Sequence, residues 1–349
     1  MNINQLVRPN ILKMKAYSSA RDEFKGAASV FLDANENPYD NDGLNRYPDP
    51  LAMAVKNEIA KIKNVTTENI FLGNGSDEVI DVLIRIFCEP RVDNIVTLPP
   101  TYGMYQVSAD TADVAVRMVN LTPDFQPNIE EILRGADEHS KILFICSPNN
   151  PTANNIEPSM LLNLLNAFNG IVVVDEAYID FSAQQSCIDW LETFPNLVVM
   201  QTFSKAWGMA GIRLGMAFAS KEIIDLMNKV KPPYNVNALT QRSALNMLKN
   251  KAAKKDAAVK EILAEREKMV TILRGYAFVE KVYPSDANFL LVKVPQPNEM
   301  YHWLLAHGIV VRNRANVTLC EGCLRLTIGT PEENAVLLKA FKESQFLIA

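Results

Sequence analysis

The sequence predicts an α/β protein: a large domain built on a mostly parallel sheet flanked by helices, joined to a smaller α/β domain. Three observations lead there. Short apolar runs, "NIVTLPP" (94–100), "KILFICSPNNP" (141–151), "GIVVVDEAY" (170–178) and "NLVVMQTFSK" (196–205), each end in a polar loop. Helical patterns separate them, as "SMLLNLLNAF" (159–168) does. The chain has 349 residues, 48% hydrophobic and 21% charged, enough to fill a sizeable core.

Strands covered on both faces read as near-continuous Val/Ile/Leu runs, and parallel strands need the crossovers that helices supply. Earlier in the chain, "FLGNGSDEVIDVLIRIF" (71–87) reads as a glycine turn feeding a helix. Later, the Lys/Glu/Ala-rich stretch 248–274 reads as a helix with a solvated charged face. Beyond it the texture changes. "NFLLVKV" (288–294), "MYHWLLAHGIVVRNR" (300–314), "CLRLTIG" (323–329) and "EENAVLLKAFKE" (332–343) read as strand, helix–strand, strand and helix. The expected division is therefore a large domain over 30–274, with 1–29 and 275–349 forming the smaller one.

Composition narrows the partners. The net charge is −5, so there is no broad basic field for nucleic acid or an anionic membrane. The N-terminal stretch has no apolar secretory core, and no run approaches the ~18 apolar residues of a membrane span. Cys88, Cys146, Cys187, Cys320 and Cys323 make an odd count, which fits reduced thiols in the cytoplasm. Cys320 and Cys323 form one CxxC. A structural zinc site needs four ligands, and His139, His302 and His307 complete no such spacing. Packed thiols are the expectation, with no metal.

In α/β sheets ligands bind beyond the carboxyl ends of the strands. The turn before 76 offers the backbone N–H groups of Ser76 and Asp77 to an anion, or Ser76 or Asp77 caps the helix. Tyr102 in "PPTYGMY" suits the core or the face of a flat ligand. Asn150 offers an amide just after a buried strand. Asp175 and Glu176 end a very apolar strand, where a carboxylate needs partners, and Tyr178 follows. Lys205 sits in "QTFSKAWGMAGIRLG" (201–215) with Thr202, Ser204 and Arg213. Two hydroxyls and a guanidinium can hold a phosphate dianion, and a nearby cation lowers a lysine's pKa and frees its amine. A Schiff-base lysine, an acid for a pyridinium nitrogen and a phosphate cup are what pyridoxal phosphate requires. No GxGxxG or P-loop is present, against a nucleotide-binding dehydrogenase.

"TFSKAWGMAGIRLG", "SPNNPT" (147–152) and "VVVDEAY" (172–178) resemble the motifs of fold-type I, class II-like PLP-dependent aminotransferases. With "FLDANENPYD" (31–40), "NRYPDP" (45–50), "LGNGSDEVID" (72–81), "PPTYGMY" (99–105) and "CLRLTIGTPEEN" (323–334), the resemblance extends in order along nearly the whole chain to the histidinol-phosphate aminotransferase family. It implies that Lys205 carries the cofactor, that Asp175 keeps its ring nitrogen protonated, and that Asn150 and Tyr178 serve its ring hydroxyl. Tyr102 would stack on the ring. Ser76, Asp77, Thr202, Ser204 and Arg213 would hold its phosphate, joined by Tyr47 from the neighbouring subunit of a homodimer. Arg325, Arg312, Tyr17 and Asn35 would line the substrate pocket. An arginine suits a site that must take both a phosphate and a carboxylate substrate. A second arginine, Arg314, stands beside Arg312, and Ala153 replaces a glycine common in the family.

The activity so implied is a ping-pong exchange between L-glutamate and imidazole acetol phosphate through pyridoxamine phosphate, yielding L-histidinol phosphate and 2-oxoglutarate. Lys205 would act as the proton carrier. An aromatic amino-acid aminotransferase or a threonine-phosphate decarboxylase of the same fold shares this machinery. A PLP-binding protein without catalysis is the alternative of another class.

Overall fold

The computed structural model describes residues 1–18, 24, 26 and 29–344. Its large sheet has seven strands: β1 (Ile70–Asn74), β2 (Asn94–Thr97), β3 (Ala115–Met118), β4 (Ser140–Cys146), β5 (Ile171–Asp175), β6 (Leu197–Thr202) and β7 (Leu214–Ala219). Their spatial order is β1-β7-β6-β5-β4-β2-β3. The pairs from β3 to β6 are parallel, and β7 runs antiparallel to both β6 and β1.

Each strand divides its side chains between two cores. Val172 and Val174 of β5 pack with Leu161, Leu164 and Leu165. Ile171 and Val173 pack on the other face with Val79, Ile80 and Leu83. This is the period-two alternation of a strand sandwiched between helices. The surrounding helices are α1 (Pro9–Lys13), α2 (Met53–Lys63), α3 (Ser76–Phe87), α4 (Met104–Thr111), α5 (Ile129–Gly135), α6 (Pro158–Ala167), α7 (Lys221–Val230), α8 (Ala238–Asn250) and α9 (Ala252–Arg274).

A second, antiparallel sheet of four strands follows: β8 (Lys281–Val282), β9 (Phe289–Lys293), β10 (Arg312–Asn313) and β11 (Cys323–Thr327), in the order β10-β11-β9-β8. Helices α10 (Pro297–Ala306) and α11 (Pro331–Glu343) pack on it. A reciprocal Thr330–Glu333 capping box starts α11.

Several elements depart from the sequence expectation. β1 and β7 are strands that the apolar runs do not predict; Gly73 in one and Gly215 in the other interrupt the pattern. The charged stretch from 248 is broken at Lys251, which separates α8 from α9. Met269 and Leu273 of α9 already belong to the small sheet's core, so that core begins before residue 275. The N-terminal residues were grouped with the small domain, but Ile3, Val7 and Ile11 are buried against α3 of the large one. Arg8 fixes this docking, pairing with Glu89 at 2.9 Å and donating its backbone N–H to the Ile86 carbonyl. Residues 19–23, 25, 27–28 and 345–349 of the expected small domain lie outside the described residues.

All five cysteines are buried free thiols. Among the described residues no group of three or more His, Cys, Asp or Glu is placed to hold a metal ion, and no helix is long and apolar enough to cross a membrane.

Candidate active site

Beyond the carboxyl ends of β4, β5 and β6 lies a cavity of about 600 Å³. It brings together Ser76, Asp77, Tyr102, Asn150, Asp175, Tyr178, Thr202, Ser204, Lys205 and Arg213 from the large domain. Arg312, Arg314 and Arg325 close it from the small sheet.

The antiparallel strand β7 organises one end. Thr202 pairs with Gly215 across β6–β7, and Gly73 pairs with the same Gly215 across β1–β7. A Cβ on Gly215 would lie 2.2 Å from the Ser76 nitrogen, so only glycine allows this approach. The Gly75 N–H donates to the Arg213 carbonyl at 2.8 Å, which ties the start of α3 to the 203–213 connection. Gly75, at φ +75°, precedes α3 without a side-chain cap, and Gly75, Ser76 and Asp77 at this uncapped start line the cavity. Arg213, Thr202 and Ser204 face the same spot, and Arg213 and Tyr102 both bond Asp77, at 3.3 and 3.1 Å.

At the other end, β5 closes on Asp175 and Glu176 follows it, the extended backbone sending the two adjacent acids to opposite faces. Glu176 turns away from the cavity and is structural. It accepts from the Cys187 N–H at 2.6 Å, the Ser186 hydroxyl at 2.5 Å and the Gln201 amide at 2.9 Å. Asp175 turns toward the cavity. It accepts from the Tyr105 hydroxyl at 2.7 Å and from the Ala177 N–H at 3.1 Å. Burial pushes its carboxyl up to about 6, against the pull of those two donors. No ion pair holds it among the described residues.

Tyr105, which the sequence alone does not single out, is the side chain that holds Asp175. It is fully buried, stacked on Phe144 at 4.7 Å and set edge-on to Tyr102 at 5.6 Å. The signal lay in "PPTYGMY", where the second tyrosine follows the first by three positions as α4 begins, a spacing that brings side chains together.

Lys205 faces the open cavity, its ammonium 5.4 Å from the centre of the Tyr178 ring. Its pKa is lowered, first by burial and then by the charge of Arg325; Arg213, expected to be the responsible cation, contributes least. Arg325 donates to the Asn150 side-chain oxygen at 2.5 Å and stacks its guanidinium over Phe289 at 5.3 Å. Asn150 in turn stands 3.5 Å from the Tyr178 hydroxyl. Burial raises the Tyr178 pKa, which keeps its phenol protonated.

Three expected residues stand apart from the cavity of their own chain. Tyr17 is 68% exposed. Asn35 and Tyr47 line a separate depression with Leu44 and Leu239, where Tyr47 stacks on Tyr234 at 4.6 Å.

The residues present fit pyridoxal phosphate. A dianion end is provided by uncapped helix N–H groups, two hydroxyls and Arg213. A buried carboxylate lacking a cation provides the other end, where a protonated ring nitrogen would supply the missing charge. An amine of lowered pKa lies between them.

Comparison with known proteins agrees. The family profile described as aminotransferase class I and II matches residues 16–341. The histidinol-phosphate aminotransferase of Parabacteroides distasonis is 56% identical over 341 residues, covering 98% of each chain. That of Christiangramia forsetii is 56% identical over 344 residues, again 98% of each. Among solved structures, the histidinol-phosphate aminotransferase from Clostridium acetobutylicum matches with a TM-score of 0.80 at 25% identity, over 87% of this chain and 92% of that one. The Sinorhizobium meliloti histidinol-phosphate aminotransferase, solved in complex with pyridoxal-5'-phosphate, shares the fold with a TM-score of 0.79 at 20% identity, over 87% and 84% of the two chains.

Proposed function

The chain belongs to the class I and II aminotransferases, and we propose on that premise that it moves an amino group between L-glutamate and imidazole acetol phosphate. The products are 2-oxoglutarate and L-histidinol phosphate, a step of histidine biosynthesis. The observation that carries this reading is the 56% identity with histidinol-phosphate aminotransferases over 98% of the chain, together with a cavity that opposes one lysine to a set of arginines.

Pyridoxal 5'-phosphate is the cofactor, and when bound it supplies an electron sink for the charge that develops at the substrate α-carbon. The side chains do the rest. Gly75, Ser76, Asp77, Thr202, Ser204 and Arg213 hold the phosphate end. Asp175, held by Tyr105 and Ala177, keeps the proton on the ring nitrogen. Asn150 and Tyr178 orient the ring hydroxyl, and Tyr102 covers the ring face. Lys205 would anchor the cofactor, and its amine, when free, would take the proton from the substrate α-carbon and act as the proton carrier. Burial and Arg325 favour the neutral amine that this requires. Arg325 and Arg312 receive the substrate's oxyanion. The two half-reactions alternate in one site, glutamate first and imidazole acetol phosphate second.

The working unit is a cytoplasmic homodimer in which Tyr47 of each subunit serves the cavity of the other. Tyr17 and Asn35 belong to the N-terminal segment that lines the substrate pocket. Supporting this, Leu32 is 86% exposed, Tyr39 80% and Leu239 57%, large side chains that a subunit interface would cover. Five unpaired buried thiols suit a reducing compartment.

The test is a coupled assay of the purified protein with glutamate and imidazole acetol phosphate, beside phenylpyruvate and threonine phosphate. Imidazole acetol phosphate should have the highest kcat/KM. A preference for phenylpyruvate, or release of carbon dioxide from threonine phosphate, overturns the reading.

A further inference from the structure

The small sheet presents three arginines to one cavity. Arg312 and Arg325 are partners in the β10–β11 register. Arg314 continues that strand two residues on, its N–H bonded to the Cys323 carbonyl at 2.9 Å. Positions two apart on a strand share a face, and all three side chains line the cavity.

Their partners differ. Arg325 lies deepest: it bonds Asn150, and its charge is the largest coulombic influence on Lys205. Arg314 is half-buried and has no side-chain hydrogen bond or ion pair among the described residues, and its Nε, like that of Arg325, is buried without an acceptor. Burial and the charge of Arg312 both lower its pKa. The two carboxylates of the cavity are engaged elsewhere, Asp77 by Arg213 and Tyr102, Asp175 by Tyr105. A half-buried guanidinium beside a second, exposed one, with no carboxylate of the cavity to answer either, is favourably placed to receive a ligand's negative charge.

The substrates differ in how far that charge reaches. Glutamate bears one carboxylate directly on the α-carbon, within the range of the deep Arg325; its γ-carboxylate extends along the α-carbon substituent that corresponds to the imidazolylmethyl group of histidinol phosphate, away from this arm. Histidinol phosphate bears a phosphate dianion two bonds further out, through a methylene and an oxygen. We propose that Arg314 is a specificity-determining residue, forming with Arg312 a two-guanidinium clamp on the substrate phosphate that the α-carboxylate of glutamate does not reach. This rests on the functional reading above and deepens it by dividing the arginines between the two half-reactions.

The test follows each half-reaction of the holoenzyme by the change in cofactor absorbance, with histidinol phosphate, histidinol and glutamate as amino donors. In Arg314→Gln, kcat/KM for histidinol phosphate should fall on the order of 10- to 100-fold through KM, the loss of one charge-assisted contact. Glutamate and histidinol should change far less, so the preference for the phosphorylated donor collapses. An equal loss for all three donors, or no loss, overturns the proposal. If Arg314→Gln does not fold, Arg314→Lys reads the same ratio. It keeps the charge but loses the fork, so an unaltered phosphate preference in it also overturns the proposal. Wild-type enzyme that prefers phenylalanine to histidinol phosphate overturns the functional reading and this one with it. A wild-type preference for histidinol phosphate that survives in the variant overturns only the role of Arg314.

Discussion

The Tyr105 hydroxyl donates to the Asp175 carboxylate at 2.7 Å from a fully buried position. This bond lowers a carboxyl pKa that burial raises to about 6. Removing it in Tyr105→Phe should move the pKa further up, by on the order of one unit. The acid limb of the kcat/KM profile should shift to higher pH, and cofactor affinity should weaken several-fold. A profile superimposable on wild type would reduce Tyr105 to a packing residue.

Asp175 also makes cofactor-free protein sensitive to pH. Its pKa is about 6 in the fold and near 3.9 in an unfolded chain. Between those values the folded state holds the extra proton, so stability falls as pH rises from about 4 to 6 and stays lowered above. Cofactor-free Asp175→Asn should therefore exceed wild type at pH 8 by on the order of 2 to 3 kcal/mol. The two should converge near pH 4, measured by denaturant unfolding across the range. A gap independent of pH would refute the linkage.

Lys205→Ala should retain cofactor through the phosphate contacts but lose the absorbance of the covalent attachment. Turnover should drop by roughly 1,000-fold or more. Spectra and rates on one preparation decide this, and substantial residual turnover would place the base elsewhere.

At Gly215 a methyl group would meet the Ser76 nitrogen at 2.2 Å and the Gly75 carbonyl carbon at 2.3 Å. Gly215→Ala should lose about 2 to 4 kcal/mol of stability and release the cofactor more readily. Calorimetry with and without added pyridoxal phosphate separates the two effects.

Tyr47 lies outside the cavity of its own chain. If it serves the neighbour, mixing inactive Tyr47→Ala and Lys205→Ala proteins under subunit exchange should restore activity. The ceiling is about a quarter of wild type, because half the dimers are hybrids with one intact site each. No recovery despite demonstrated exchange would confine Tyr47 to its own subunit.

Much of this site was legible because its chemistry sits at strand ends. Asp175 closes a run of valines, and Lys205 follows another apolar strand after a hydroxyl pair, so position and residue type agree. What escaped was long-range. Nothing local distinguishes Asp175 from Glu176; the pleat of β5 decides which one faces the cavity. Tyr105 acquires its partner 70 residues away, and β7 acquires its importance from two neighbours that meet at Gly215. The docking of Ile3, Val7 and Ile11 on α3 was likewise invisible, because apolar spacing in a short segment does not name the surface that buries it.

The β6–β7 hairpin has a consequence for divergence. Thr202, Ser204, Lys205 and Arg213 lie within twelve consecutive residues closed by one strand pair, whereas the three arginines hang from a different sheet. Under the proposed roles, changes in β10 and β11 would alter which molecule is accepted while Lys205, in the other sheet's connection, stays in place. On that division, new selectivity would come from editing the edge of the small sheet, with the strand ends of the large sheet left as they are.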